Sequence, residues 1–308
     1  MTLPAERVVV SNGGQHALLV TLMALAKPGD TVLTEKLTYP GIKAIAGYLN
    51  LNLQGLAMDA QGILPEALDS ACKKGNARFL FCVPTLQNPT AATLPTARRQ
   101  QIAELARAHD LTIIEDDVYG FLMPDRPPPI AGYAPECSYL VTSLCKSVLP
   151  GLRIGYLGVP DGHAERFGAV IRSTVWMGSP LMAEIAARWI ADGTADELAD
   201  WQRREAVARQ ELTAQILHGW DYQSYSGSMH LWLPVPDPWR AHDIVQSARS
   251  RGVLLSPAAT FAVGRSGIPH ALRICLMGPA SRAQLERGLT VIAELLTESP
   301  GCLCCATL

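Results

Sequence analysis

The sequence carries little net charge, because 26 lysine and arginine residues are balanced by 28 aspartate and glutamate residues, which leaves −2 at pH 7 over 308 residues. A protein that binds nucleic acid or an anionic membrane usually shows a basic excess, and this composition shows none. We therefore expect no nucleic-acid contact by the chain itself and no membrane contact.

Long apolar runs are missing too. No run approaches the ~20 apolar residues of a membrane-spanning helix, and residues 1–6 lack the charged and apolar regions of a signal peptide. A chain of this length can still bury a large core and has room for two domains. These features predict an ordinary enzyme of the cytoplasm.

The eight cysteines do not predict a metal site. Five lie in apolar or mixed segments, as reduced core cysteines usually do: Cys72, Cys82, Cys137, Cys145 and Cys275. Cys302, Cys304 and Cys305 crowd into the C-terminal tail, where no histidine stands nearby to complete a metal site. We expect no metal, and a disordered tail over residues 299–308.

Two nucleotide-binding motifs are absent as well, namely the GxGxxG fingerprint and the P-loop pattern. A simpler phosphate site is present. The strand-like run 8–10 leads into the turn Gly13-Gly14, and Leu18, Leu22 and Leu25 then follow at helical spacing. Free N–H groups and the dipole at a helix N-terminus bind anions. The sequence therefore predicts an anion site whose phosphate need not belong to a nucleotide.

Three unbroken apolar runs, at residues 78–84, 111–114 and 139–143, are each followed by polar side chains. Such runs are typical of buried parallel strands. Ligands of open α/β sheets bind outside the carboxyl ends of these strands. We therefore expect the polar residues at the strand ends to converge on one site: Asn88, Asp116, Tyr119, Ser143 and Lys146.

Lys146 is the most informative of these residues. Lysine is rarely placed at a buried strand end, because desolvation of its charge is costly. Where it is placed there, its amine can lose its proton and form a Schiff base. A surface lysine just past a strand is the alternative, and the other polar strand ends weigh against it. Ser143 and Arg153 could complete the phosphate site with charge-assisted hydrogen bonds.

These residues form ordered motifs along the chain: Gly13-Gly14-Gln15, Tyr39-Pro40, Asn88-Pro89, Asp116-x-x-Tyr119, and Ser143-x-x-Lys146 followed by Arg153. Together the motifs resemble those of the fold-type I, pyridoxal-phosphate-dependent aminotransferases. The segments LTYPG, PTLQNPT, IEDDVYGFL and TSLCK most resemble the aminotransferase-like domain of MocR-type regulators in the GntR family. The resemblance extends from about residue 7 to residue 295. It is more specific about fold and cofactor than about substrate.

The resemblance implies that Lys146 holds pyridoxal 5'-phosphate as an internal aldimine and moves the substrate α-proton. Asp116 would keep the pyridine nitrogen protonated, so that the ring can act as an electron sink. Glu115 and Asp117 are alternative ring partners, but the three-residue step to Tyr119 favours Asp116.

The other cofactor contacts follow from the same resemblance. Tyr119 and Asn88 would hydrogen-bond the phenolic oxygen of the ring, and Tyr39 would stack on its face. The alternatives are that Tyr39 and Asn88 only form turns before prolines. The phosphate would be held by Gly14, Gln15, Ser143 and Arg153.

Arg273 stands inside an otherwise apolar strand and needs an anionic partner. By the resemblance it binds the α-carboxylate of the substrate, and Asn88 also contacts the substrate. A structural salt bridge is the alternative for Arg273. We expect His230 to be a packed core histidine with no role.

The resemblance implies an α/β fold of the fold-type I transferase class. We expect a large cofactor-binding domain over residues 1–192, with a mainly parallel sheet flanked by helices, and a connector helix with a small α+β domain over residues 193–298. The sequence pattern predicts helices at 165–190, with a break near 178–180, and at 196–217, 241–251 and 281–296, the last capped by Ser281. It predicts strands at 229–233, 252–255 and 272–276.

Two functions are consistent with the resemblance. The first is an aminotransferase that moves an amino group between an amino acid and a 2-oxo acid. The second is the effector-sensing domain of a MocR-type transcription regulator that lacks its winged-helix domain, and DNA would be a partner only if such a domain lay upstream. We expect a homodimer. Only about ten residues precede the Gly13-Gly14 turn, so we also expect the N-terminal arm of the aminotransferases to be missing and turnover to be poor.

Overall fold

The computed structural model of the protein describes residues 2–298. The strands and helices in this part of the chain, in order, are β1 (Val8–Ser11), α1 (Gly14–Leu25), β2 (Thr31–Glu35), α2 (Pro40–Tyr48), β3 (Asn52–Leu56), β4 (Met58–Asp59), β5 (Gly62–Ile63), α3 (Pro65–Cys72), β6 (Ala77–Cys82), α4 (Thr96–Ala108), β7 (Thr112–Asp116), β8 (Ser138–Ser143), α5 (Leu144–Ser147), β9 (Gly155–Gly158), α6 (Ala164–Val175), α7 (Pro180–Ala191), α8 (Thr194–Ile216), β10 (His230–Pro234), α9 (Ala241–Ser250), β11 (Ser256–Pro257), β12 (Ala271–Cys275) and α10 (Arg282–Thr297).

A large sheet organises the first half of the chain. In the described residues it has seven strands in the order β1-β9-β8-β7-β6-β2-β3. Strands β3, β2, β6, β7 and β8 pair in parallel, whereas β9 is antiparallel to both β8 and β1. The predicted α/β fold with a mainly parallel sheet is confirmed.

The apolar runs form central strands because both of their faces are buried. Side chains alternate along β6, so that Phe79 and Phe81 pack on one face with Leu18 of α1, while Leu80 packs on the other with Ile102 of α4. A helical layer therefore covers each side of the sheet. This burial explains the uninterrupted apolar character of the runs.

The strand ends meet at one edge of this sheet. Because β1 and β9 are antiparallel, as are β9 and β8, the carboxyl ends of β1 and β8 lie beside the start of β9. Gly155 of β9 pairs with both Ser11 and Ser143. The turn after β1, the loops after β6, β7 and β8, and the residues just before β9 therefore approach the same point.

The C-terminal part of the chain forms an antiparallel sheet in the order β10-β12-β11. The long helix α8 leads into it, and α9 and α10 pack on its core. Helix α10 starts as expected, with the Ser281 hydroxyl accepting a hydrogen bond from the backbone N–H of Gln284. The boundary between the two predicted domains at residue 192 stays a prediction.

The strand predicted at residues 252–255 is wrong. Gly252 has φ +80 and belongs to the turn that ends α9, so the backbone cannot yet pair with β12. Pairing starts at Ser256, opposite Arg273. The apolar residues 253–255 reflect packing under the turn, since Val253 and Leu255 contact the small core.

No helix within residues 2–298 is long and apolar enough to span a membrane. Within the same residues, no group of three or more His, Cys, Asp or Glu side chains is arranged to hold a metal ion. The predicted disorder of the cysteine-rich tail concerns residues 299–308, which lie outside the described part of the chain.

A buried ionic network fixes α8 against the small sheet. Arg209 donates to Glu205 at 2.7 Å and to the backbone oxygens of Leu276 and Pro279 at 2.7 and 2.8 Å. Glu205 also accepts from Arg282 of α10 at 2.6 Å. One arginine thus satisfies two carbonyls at the end of the small sheet and a carboxylate on its own helix.

We expect Arg209→Met to lower the free energy of unfolding by about 2–4 kcal/mol, because it leaves buried acceptors unpaired. Arg188→Met is the matched control, since Arg188 makes the same i,i+4 pair with Glu184 but in solvent, and should change it by less than about 0.5 kcal/mol. Urea denaturation of both variants measures the difference. Equal effects would show that the network does not hold the helix.

Candidate active site

A cavity of about 260 Å³ opens at the edge where the strand ends meet. The ten residues that the sequence predicts for the site all line it: Gly14, Gln15, Tyr39, Asn88, Asp116, Tyr119, Ser143, Lys146, Arg153 and Arg273. Nine of them come from strand ends, loops and helices of the large-sheet part of the chain, and Arg273 comes from β12 of the small sheet. The cavity therefore lies where the two sheets face each other.

The turn after β1 forms the anion-binding end of the cavity. Helix α1 starts at Gly14, and the first N–H groups of any helix have no acceptor within that helix. Arg153 lies over the turn, and its Nη2 donates to the backbone oxygen of Asn12 at 3.3 Å. Ser143 donates its hydroxyl proton to the oxygen of Ile154 at 2.9 Å. This hydroxyl would have to rotate before it could donate to a bound anion.

Glycine is favoured at position 13 by its backbone conformation and by the approach of Arg153. The residue has φ +87, which L side chains rarely adopt. A Cβ there would also lie 2.8 Å from Nη2 of Arg153. The absence of a side chain at Gly13 thus allows the guanidinium to approach the start of α1.

Tyr39 lines the cavity as well. Its hydroxyl donates to Oε1 of Gln15 at 2.9 Å. Burial raises the pKa of Tyr39, and the charge of Asp116 adds to this, whereas Arg153 opposes it. Tyr39 also precedes α2 as its N-cap residue, so the turn and the cavity interpretations both describe its position.

The three consecutive acids at the end of β7 have different partners. Glu115 accepts hydrogen bonds from the N–H groups of residues 130 and 131. Asp117 pairs with Arg126 at 2.9 Å. Asp116 lines the cavity, so of the three candidates for a ring partner it is the one that faces the site.

Asp116 is strongly perturbed. Burial raises its pKa to about 7, the backbone N–H of Val118 at 3.3 Å opposes the shift, and the charges of Asp117 and Glu35 add to it, while Lys146 lowers it. A carboxyl group in this state would be stabilised as an anion by a cation placed in the cavity.

Asn88 and Tyr119 form the wall nearest the small sheet, and both are buried. Within residues 2–298, no group donates a hydrogen bond to Oδ1 of Asn88. Burial raises the pKa of the Tyr119 hydroxyl, so this group is a hydrogen-bond donor at neutral pH. The wall therefore offers a phenol and an unsatisfied amide to a ligand.

Lys146 is exposed to the open cavity rather than buried. The expectation of a buried lysine at the strand end is therefore wrong, because the short helix α5 carries the side chain past the end of β8. Its place in the cavity is nevertheless the one expected. The amine is accessible to a carbonyl compound.

Arg273 lies in the cavity with its guanidinium carbon 5.3 Å from the centroid of the Phe261 ring. Its Nη2 donates to Ser256 Oγ at 3.4 Å, and its Nε has no hydrogen-bond partner among the described residues. In this part of the chain it forms no ion pair with an acid, which disfavours the structural salt bridge. It is free to bind an anionic ligand.

Four further residues line the cavity: Leu18, Val83, Val118 and Cys145. Cys145 is buried, as expected of a core cysteine, and its Sγ also accepts from Nη1 of Arg153 at 3.5 Å. Its position directly before Lys146 is the sequence signal that could have identified it. Cys275 is exposed rather than buried. His230 is buried as expected, at 2% exposure.

The comparisons with known proteins agree with this geometry. The sequence matches the family model described as aminotransferase class I and II over residues 1–292. It is 36% identical over 346 aligned residues to the aminotransferase swnA of Metarhizium robertsii, covering 94% of this chain and 68% of that protein. Pyrococcus horikoshii kynurenine aminotransferase, solved in complex with PMP, has the same fold, with a TM-score of 0.86 and 22% identity over 94% of this chain and 74% of the other.

Transcriptional regulators are also among the relatives. The chain is 30% identical over 293 residues to the uncharacterized HTH-type transcriptional regulator YdeF of Bacillus subtilis. The match covers 95% of this chain and 63% of the regulator. The chain thus spans less than two thirds of the length of this relative.

We expect Asp116→Asn to stabilise the ligand-free protein at pH 8 by about 1–3 kcal/mol, because the amide avoids the cost of a buried charge. Burial raises the folded-state pKa of Asp116 from 3.8 to about 7. The folded state therefore holds more protons than the unfolded state in this window, and wild-type stability falls as pH rises from about 4 to 7. The advantage of the variant should grow over that window and stay constant above it.

Asp117→Asn is the matched control, and it should destabilise the protein because it removes the partner of Arg126. Urea denaturation between pH 5 and 8 compares the two. If Asp116→Asn destabilised the protein and Asp117→Asn stabilised it, Asp117 would be the acid that faces the cavity.

Proposed function

This chain belongs to the class I and II aminotransferase family, and on that premise we propose that it binds pyridoxal 5'-phosphate and transfers an amino group between an amino acid and a 2-oxo acid. The observation that carries the proposal is the convergence of an accessible lysine, a buried acid and an arginine-lined helix start on one cavity. The roles given to the ten site residues are part of this proposal.

The residues present fit the cofactor. A phosphate suits the start of α1 and Arg153, which together offer free N–H groups and a guanidinium. A protonated ring nitrogen suits Asp116, because burial raises the pKa of this carboxyl and Lys146 offsets the shift only in part. The side-chain amide of Asn88 can donate through its Nδ2 and the neutral phenol of Tyr119 through its hydroxyl, so both groups suit an oxygen substituent of the ring.

The bound cofactor supplies an electron sink for the carbanion that forms at the substrate α-carbon. Lys146 would hold the cofactor through its Nζ and move the α-proton. Asp116 would keep the ring nitrogen protonated by its charge. Tyr119 and Asn88 would hydrogen-bond the phenolic oxygen, and Tyr39 would pack on the ring face.

The remaining roles concern the two anionic groups of the complex. The phosphate would be bound by Gly14 and Gln15 at the start of α1, by Ser143 once its hydroxyl turns, and by Arg153. The α-carboxylate of the amino acid would be bound by Arg273, with Asn88 beside it. An arginine from the small sheet would therefore orient the substrate over groups held by the large sheet.

A second function is supported by the similarity to YdeF. The same cavity would then act as the effector-sensing domain of a MocR-type regulator, which binds the cofactor and an amine without repeated turnover. The cofactor residues serve both functions, so only product formation separates them. A homodimer and a cytoplasmic location are further parts of the proposal.

We expect the protein incubated with pyridoxal phosphate to show a visible absorbance band, and borohydride to fix the cofactor covalently on Lys146. Lys146→Ala should lose the adduct, because the amine that attacks the carbonyl is gone. Lys43→Ala is the control, since Lys43 donates to the oxygen of Thr260 away from the cavity lining. Peptide mass spectrometry that finds the reduced cofactor on another lysine would refute the assignment.

We expect Arg273→Ala to weaken the response of the bound cofactor's spectrum to amino acids by about tenfold or more, because a charged hydrogen-bonded pair is lost. Pyridoxal phosphate binding should change much less. Arg265→Ala, an exposed arginine of the same part of the chain, should behave like wild type. The measurement is a titration with a panel of amino acids, followed by assay of the pyridoxamine form and the 2-oxo acid.

This assay also separates the two functions. Repeated turnover with release of 2-oxo acid supports the aminotransferase. A saturable spectral change without 2-oxo acid supports the sensing domain. If Arg273→Ala and Arg265→Ala respond alike, the carboxylate site lies elsewhere.

A further inference from the structure

We propose that His230 is a positioning residue that ties the small sheet to the wall of the cavity formed by Asn88 and Tyr119. The proposal rests on the proposed function, because its consequence is read from the bound cofactor. It assigns a role to a buried histidine that otherwise would be only part of the core.

The first observation is a buried hydrogen bond between the two sheets. Nε2 of His230, in β10, lies 3.0 Å from the backbone oxygen of Gln87. The two residues are 2% and 1% exposed. A carbonyl oxygen only accepts, so Nε2 carries the proton and donates it. This bond fixes the peptide group that joins Gln87 to Asn88.

Gln87 is itself immobilised by its side chain. Its Nε2 donates to the oxygen of Leu37 at 2.6 Å, and its Oε1 accepts from the N–H and the hydroxyl of Thr90 at 3.0 and 2.7 Å. The segment after β6 is therefore held from the large sheet by these bonds and from the small sheet by His230. The position of Asn88 depends on both.

The second observation is a ring contact. The His230 and Tyr119 rings have centroids 5.6 Å apart and planes inclined by 55°. Both side chains are buried, and Tyr119 packs in the same apolar cluster as Leu86 and Met229, which precede Gln87 and His230 respectively. One imidazole thus supports both residues that we assign to the phenolic oxygen of the ring.

The charge state of His230 suits this role. Burial lowers its pKa to about 4, the Gln87 carbonyl opposes the shift, and the positive charges of Arg273 and Lys146 add to it. The imidazole is therefore neutral at physiological pH. A neutral donor holds the wall without adding a third positive charge beside the groups that bind anions.

The strand register links His230 to the substrate arginine. In the antiparallel pair β10–β12, His230 is opposite Cys275 and Trp232 is opposite Arg273. Side chains alternate along a strand and paired residues share a face, so His230 and Arg273 are on the same face of the small sheet. The adjacent strands β12 and β10 therefore carry Arg273, which we assign to the carboxylate, and His230, which positions Asn88 and Tyr119.

The test compares four variants loaded with pyridoxal phosphate. His230→Phe keeps a ring against Tyr119 but removes the donor, whereas His230→Gln can present an N–H close to the position of Nε2. His230→Asn has a donor that is too short to reach Gln87. Leu231→Val is the matched structural control, because Leu231 is buried in the small core on the opposite face of β10.

The main readout is the pH midpoint of the visible absorbance of the bound cofactor, which depends on the hydrogen bonds to its phenolic oxygen. We expect His230→Phe and His230→Asn to shift it by about 0.5 unit or more, since one hydrogen bond is worth about that much. His230→Gln and Leu231→Val should stay within about 0.2 unit. The melting temperature of each cofactor-free variant serves as the measure of folding.

Every outcome is informative. An unshifted midpoint in His230→Asn, or an equal shift in Leu231→Val, would overturn the proposal, as would a shift in His230→Gln as large as in His230→Asn. If His230→Phe does not fold, the difference in pH midpoint between His230→Gln and His230→Asn tests the proposal. Failure of the wild-type protein to bind the cofactor would instead reject the proposed function, and all variants would then look alike.

Discussion

The meeting of strand ends at one edge of the large sheet is the constraint on which the rest of the structure depends. Parallel strands buried on both faces leave their polar residues only at their ends, and β9, which runs the other way, starts where β1 and β8 finish. Arg153 therefore lies beside the start of α1 although it stands 139 positions after Gly14 in the sequence. The backbone at position 13 has φ +87, which favours glycine and leaves room for the guanidinium. The strand topology determines where the site lies, and the side chains at the strand ends determine its chemistry.

Several polar groups in the cavity are buried without a suitable partner. Asp116 is buried without a cation strong enough to keep its pKa low, Oδ1 of Asn88 has no donor within residues 2–298, and Nε of Arg273 has no acceptor there. Each of these costs stability in the ligand-free protein. A ligand with a cationic ring nitrogen and anionic groups would relieve the costs at Asp116 and Arg273 together. The same groups thus lower the stability of the ligand-free protein and would contribute to its affinity for such a ligand.

Much of this arrangement can be predicted from the sequence, because local pattern and topology coincide. The apolar runs at β6, β7 and β8 identify buried strands, the residues after them identify the cavity, and Ser281 identifies the start of α10. The predictions that failed depend on details that periodicity does not encode. The turn at Gly252 delays β11 to Ser256, and α5 exposes Lys146 instead of burying it. His230 illustrates the same limit, since its apolar strand predicts burial but not the distant carbonyl to which it donates.

The contact between the two sheets bears on whether the cavity catalyses or senses. Arg273 and His230 belong to the small sheet, whereas the other nine predicted site residues lie around the large sheet, so a ligand bound by Arg273 and by those nine would join the two sheets. In an enzyme, this geometry would orient the α-carbon for proton transfer. In a regulator, the same geometry would convert ligand binding into a preferred position of one sheet relative to the other. One set of contacts would therefore serve either purpose.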